Sequence, residues 1–177
     1  MTIGARVQQF DDRADHALER VRGRSRVVDR VFLTASEFGD FSMVWQLANV
    51  ARGLVTGHYR EMLLFAGLLG VESLVVNQGI KRLFRRTRPT ETGDPRYQVR
   101  KPRTSSFPSG HASSAFYAAS ILTAWDGWVF APLWFAVALV VGTSRAFVRI
   151  HHASDVIGGA VVGAALAQIA LAVLRVA

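Results

Sequence analysis

Two histidines, one carboxylate and three cations carry the chemistry of this sequence. His151 and Asp155 stand four residues apart, one turn on a helix, so the carboxylate can reach the imidazole. A carboxylate that holds a histidine in one tautomer makes it a base or a nucleophile. The pair sits in residues 144–155, between two apolar runs, where charge is costly to carry without a function. Two further islands precede it. Lys81 and Arg88 lie in a basic stretch, and Ser109, Gly110 and His111 follow Pro108. With Arg145, Lys81 and Arg88 make three cations that suit a phosphate-sized anion, and arginine adds a fork matched to phosphoryl oxygens. Ser109 and the Gly110 amide fall where a helix begins, and helix N-termini bind anions through free N–H groups. Gly110 also lets backbone approach a ligand closely.

Hydropathy supplies the elements that must bring these islands together. Residues 41–55, 62–80, 111–125, 128–143 and 156–176 read as five transmembrane helices, the first of them short. Spans alternate direction, so the polar loop 81–107 and the loop 144–154 fall on one side of the membrane, and the turns 56–61 and 126–127 on the other. All three islands then meet at one membrane face. A polar loop as long as 81–107 in so small a domain points to function. Residues 1–40 read as amphipathic helical segments, lying on the membrane or packed on the domain, with a break at residues 37–40. The expected fold is all-α: a polytopic membrane helical bundle of about five spans, residues 41–177, behind the N-terminal segment 1–40, all in one domain covering 1–177.

Glu72 and Asn77 interrupt the second span; a carboxylate at that depth must face the interior, as a helix-to-helix hydrogen bond or as support for the site. Gly159 and Gly163, with Ala160, Ala164 and Ala167, let the last helix approach a neighbour. Trp45, Trp125, Trp128 and Trp134 sit near span ends, as interfacial anchors would. His152 reads as a structural neighbour of His151. Arg149, Lys101 and Arg103 could meet a headgroup or anionic lipid.

The chain has 177 residues and a formal net charge of +8. A basic balance suits nucleic acid, an anionic membrane or an anionic substrate; without a nucleic-acid motif, no nucleic-acid partner is expected. There is no cysteine, which excludes disulfides and thiolate-bound metals. No secretory signal peptide is read at the N-terminus. Homo-oligomerisation is left open.

In order and spacing the three islands match a known signature. The chain resembles the type 2 phosphatidic acid phosphatase superfamily, integral-membrane lipid phosphatases related to bacterial acid phosphatases and vanadium haloperoxidases. Strict resemblance runs from Lys81 to Asp155, with every signature position present. It implies in-line attack by His151 on phosphorus, giving a phosphohistidine, with Asp155 orienting His151. His111 would protonate the leaving alcohol and then activate water. Lys81, Arg88, Ser109, Gly110 and Arg145 would hold the phosphoryl oxygens, with no metal and no cofactor. A site at the membrane face implies a lipid-anchored substrate among membrane lipids. Polyprenyl phosphates, pyrophosphates or sugar phosphates are favoured over phosphatidic acid and phosphatidylglycerol phosphate. The alternatives are a phosphotransferase using the same phosphohistidine, a vanadate-dependent haloperoxidase and a non-enzymatic membrane adaptor. With residues 1–40 on the active-site side, that side carries 18 basic residues against 3. The positive-inside rule then places the site at the cytoplasmic face of a multi-pass cell-membrane protein.

Overall fold

In the computed structural model, residues 2–90, 94–97, 99 and 104–176 are described. They form an all-α bundle: α1 (Ile3–Glu19), α2 (Arg26–Phe38), α3 (Met43–Thr56), α4 (Tyr59–Leu74), α5 (Gly110–Asp126), α6 (Ala131–Phe147) and α7 (Ala153–Val176). Helix starts follow local chemistry. Thr2, Ser25 and Ser109 are N-caps whose hydroxyls accept from Ala5, Val28 and Ala112 N–H. α4 does not stop at Leu74. It continues through a π-turn, Val75–Gly79, and a 3-10 turn, Ile80–Leu83. The π-turn is a wider coil, and it rotates the residues after Gly79 relative to a regular helix.

Among the described residues three helices are long and apolar enough to cross a membrane: Tyr59–Leu83, Trp128–Phe147 and Ala153–Arg175. Their outward faces carry Leu63, Val71, Leu139, Val161, Ile169 and Val173, all more than half exposed. Bare aliphatic surface on that scale belongs in lipid. The other two expected spans, α3 and α5, are shorter, at 14 and 17 residues. α5 is the bundle's centre. Its Ala112, Ala115, Ala118, Ala119, Ile121 and Leu122 are fully buried.

α5 can be central because its neighbours are small where they meet it. A Cβ on Gly159 would run into the Ser109 carbonyl, and one on Gly163 into the Ser113 carbonyl. The α5–α7 contact is thus backbone against backbone, as the glycine spacing implied. Gly158 is blocked in the same way by the Phe107 ring. Glu72 on α4 accepts a short hydrogen bond from Ser113 on α5, so the intramembrane carboxylate has an interior partner.

Chain direction alternates as expected. At one end Arg52 of α3 pairs with Glu61 of α4 (2.7 Å) and Asp126 of α5 (2.5 Å). At the opposite end lie the ends of α4 and α6, the starts of α5 and α7, and the N-terminal helices. α1 and α2 are packed on the domain. Phe147 at the end of α6 and Val148 just after it gather Leu18 of α1, Phe32 and Leu33 of α2, and Tyr97 and Val99 of the long loop into a second small core. Phe32 and Tyr97 stack on Phe147 with ring centroids at 4.5 and 5.6 Å.

One tryptophan departs from the anchor reading. Trp45 is fully buried in the main core, because α3 turns that face to the bundle. Trp128, 84 % exposed, keeps the place of an anchor.

The glycine contacts set a stability test. Gly163→Val forces overpacking worth about 1–3 kcal/mol, whereas Gly67→Val adds a side chain where no atom lies within 4 Å. Thermal unfolding in detergent is expected to drop several degrees for the first and stay within a degree or two for the second. Equal effects would refute the close α5–α7 packing.

Candidate active site

The eight residues singled out by type and spacing come together at the end of the bundle that carries α1 and α2. Lys81 is buried in the 3-10 turn that ends α4's run. Ser109 caps α5 and Gly110 is its first residue. Arg145 lies in the last turn of α6, 1 % exposed. Asp155 lies in the first turn of α7, fully buried. His151 sits between α6 and α7, 3 % exposed. His111, Gly110, Lys81 and His151 line one cavity of about 900 Å³, walled also by Ser73, Asn77 and Ser114.

Asp155 organises the α7 side. Its Oδ2 accepts from Ser106 Oγ (2.5 Å) and from the His152 N–H (2.9 Å), a turn reaching back over its own helix start. Its Oδ1 accepts from Arg86 (2.6 Å). His151 Nδ1 lies 3.6 Å from Oδ2, beyond hydrogen-bond length, and is buried with no hydrogen-bond partner among the described residues. On the other side of the ring, Arg88 Nη1 stands 3.1 Å from Nε2. A guanidinium can only donate, so Nε2 is the acceptor and the ring proton is assigned to Nδ1, on the Asp155 side. The nitrogen with the free pair therefore points into the cationic side of the site. Burial pushes the His151 imidazolium down to about 3; Asp155 opposes this, while Arg88, Arg145 and Lys81 add to it. Burial likewise lowers Arg88 from its ordinary value.

Arg145 Nη1 donates to Ser36 Oγ at 2.5 Å. Among the described residues its buried Nε and Nη2 have no partner. Donors orphaned in a dry site carry a large free-energy penalty, and an anion is what relieves it. Arg88 is braced by the carbonyls of Ile150 (3.0 Å) and Thr104 (3.1 Å). The loop that presents His151 folds over α6: the N–H groups of Ile150 and His151 both donate to the Arg145 carbonyl at 3.1 Å. Arg149 turns this loop through a left-handed backbone, φ 56°.

Several participants were not singled out by sequence. Arg86 ties Asp155 to Ser154 and to Asp11 of α1, at 2.7 and 2.6 Å. Asp11, buried, also accepts from the Ser154 N–H at the start of α7. Arg22, buried, donates to the Phe147 and Ala146 carbonyls that end α6 (2.7 and 2.9 Å). Ser36 and Asp40 reach His111. Ser106 sits beside the second island and could have been noticed there; the acids of α1 leave no such signal, since amphipathic helices carry many.

Arg149 is not offered to a headgroup. It pairs with Asp15 (2.7 Å), Glu19 (3.0 Å) and Asp94 (3.4 Å). The reason is the acidic face that α1 lays across this loop. Lys101 and Arg103 lie outside the described residues. His152 faces a separate small space beside α1.

A family model described as the PAP2 superfamily matches residues 60–176. The chain belongs to this superfamily. Among curated relatives, decaprenylphosphoryl-5-phosphoribose phosphatase from two strains of Mycobacterium tuberculosis is 30 % identical over 151 residues, 82 % of this chain and 83 % of the relative. Among solved structures, a transmembrane PAP2-type phosphatidylglycerolphosphate phosphatase from Bacillus subtilis superposes with a TM-score of 0.73 at 23 % identity. That match covers 96 % of this chain and 86 % of the other, and it shows the shared fold. Family, relatives and apolar helices together mark the chain as a membrane phosphatase.

The His151 environment is testable directly. In ¹⁵N-histidine-labelled protein the ring is expected to remain neutral, with its proton on Nδ1, at pH 5.5. A protonated ring at that pH, or an Nε2-bound proton, would contradict the geometry.

Proposed function

We propose that this protein hydrolyses a phosphate ester of a polyprenyl-type lipid through a phosphohistidine on His151, without a metal ion. The observation that carries the proposal is the unprotonated Nε2 of His151, facing Arg88 and sharing its cavity with Lys81, close to an Arg145 whose buried Nε and Nη2 have no partner among the described residues. Nε2 attacks phosphorus in line, and the bond from phosphorus to the leaving oxygen breaks. His111 gives that oxygen its proton and the lipid alcohol departs. His111 then takes a proton from water, the water oxygen attacks phosphorus, and the P–N bond breaks to release inorganic phosphate and restore His151. Asp155 supports the growing charge on the Nδ1–H side throughout. Lys81, Arg88, Arg145 and the N–H groups that open α5 after Ser109 and Gly110 hold the phosphoryl oxygens where charge develops. These fixed cations take the part a metal plays elsewhere.

The substrate class rests on two supports. A cavity walled by α4 and α5 inside an apolar bundle suits a headgroup whose tail stays in lipid, and the 30 % identical relative is named for a decaprenylphosphoryl phosphoribose. We place the site at the cytoplasmic face of the cell membrane, on the 18-to-3 division of basic residues between the two ends.

Phosphate release from a panel of polyprenyl phosphates, a polyprenyl-phosphoryl sugar phosphate, a polyprenyl pyrophosphate and phosphatidic acid tests the reaction. His151→Ala is expected to lose more than about 1000-fold in turnover, the scale for removing a covalent nucleophile, and EDTA to leave the unmodified enzyme active. Turnover retained by the folded variant would sink the mechanism, and abolition by EDTA the metal-free reading. For sidedness, the chain has no cysteine and Arg85 is exposed. Arg85→Cys in sealed right-side-out vesicles is expected to resist an impermeant maleimide until the membrane is opened; immediate labelling would put the site outside.

A further inference from the structure

The second histidine has a carboxylate of its own. We infer that Asp40 is a positioning residue for His111: it fixes the ring proton on Nε2 and leaves Nδ1 to deliver the proton to the leaving oxygen. The inference rests on the phosphatase reading above and deepens it.

Asp40 Oδ1 lies 3.2 Å from His111 Nε2, and the Ser36 carbonyl oxygen lies 3.2 Å from the same nitrogen. A carboxylate and a carbonyl only accept, so the nitrogen between them carries a proton in both ring states. The same ring edge is closed by backbone. A Cβ on Gly39 would stand 2.5 Å from His111 Cδ2 and 3.1 Å from Nε2. No substrate oxygen fits on that edge, so the opposite nitrogen is the one left for chemistry. Gly39, Asp40, His111 and His151 line the same cavity. The turn after α2 therefore does for His111 what Asp155 does for His151, from the opposite wall of the site.

Ser36 links this turn to the anion site as well. Its hydroxyl accepts from Arg145 while its carbonyl meets His111. Ser36, Gly39 and Asp40 all precede residue 60, where the family match begins. Part of the site is thus built by a segment outside the matched stretch. The charged groups around His111 come from three elements besides its own: Asp40 from the turn after α2, Arg145 from α6 and Lys81 from the end of α4, with the His151 ring across the cavity.

The test uses the full chain in detergent and two probes, farnesyl phosphate and p-nitrophenyl phosphate. An alkoxide needs a proton to leave and a nitrophenolate does not. Asp40→Asn is expected to lower kcat on farnesyl phosphate by about 10–100-fold, part of what general acid catalysis contributes. KM should stay within about twofold, and the loss on p-nitrophenyl phosphate below about threefold. Asp40→Glu should recover most of the loss. Equal losses on both probes, an effect confined to KM, or no effect would overturn the inference. His111→Ala serves as reference. If it shows the leaving-group dependence and Asp40→Asn does not, only the role of Asp40 fails; if His111→Ala shows none, the proposed reaction fails with it. Should Asp40→Asn not fold, the ¹⁵N spectrum of the unmodified protein decides: a neutral His111 protonated on Nδ1 overturns the assignment, and one protonated on Nε2 supports it.

Discussion

Much of the end of the bundle that carries the candidate site is arranged around one buried carboxylate. Asp155 is inaccessible to solvent, and an ionised carboxylate in that position is tolerable only when charged or strongly polar donors surround it. It draws Arg86 and Ser106 from the long loop and the His152 amide from its own helix start. Its backbone carbonyl accepts from the Ser109 N–H, so the same residue also seats the start of α5. Arg86, shared with Asp11, carries the connection to α1. The need to satisfy one charge thus fixes the relative positions of two helix starts, a loop and an N-terminal helix.

The opposing requirement is to keep cations buried close together. Desolvating an ion costs several kcal/mol even after relaxation, and Lys81 and Arg145 are both almost wholly enclosed. The rest of the bundle offsets this by packing α5 against α7 at backbone distance and against α6 through small residues such as Gly142 and Ala112. The division of labour follows chain chemistry. Alanine and glycine build the middle of the bundle, and long charged side chains converge only where the helices end. A site made of mutually repelling cations is less stable than an apolar one of equal size, which is what a site made for an anion implies.

The spans and the site were legible in sequence to different depths. Helix order, common sidedness and the convergence of Lys81, Arg88, Ser109, His111, Arg145 and His151 all followed from hydropathy blocks and alternating direction. Those signals are local or repeat along the chain. Glu72 and the Gly159–Gly163 pair were also legible, because a carboxylate and bare backbone in an apolar run have few physical explanations. Asp11, Arg22, Ser36 and Asp40 were not. Each acts across more than 70 residues of sequence, from amphipathic helices whose acids and bases are interchangeable on paper. Trp45 and Arg149 were misread for the same reason: a tryptophan near a helix end and an arginine in a loop look alike whether they face outward or inward. Which way they face depends on tertiary contacts with α1 and the core.

The π-turn at Val75–Gly79 sets a constraint on chain length. Each residue of a regular helix advances about 100° around the axis, so a single residue more or less between Tyr59 and Gly79 would swing Lys81 by that angle, from the cavity it shares with His111 and His151 toward hydrocarbon. Lipid tolerates many apolar side chains along this stretch but not an ammonium group. The lipid-facing positions of α4 are therefore free to exchange one aliphatic residue for another, while insertions and deletions are not. In this helix drift in composition is cheap and drift in phase is forbidden.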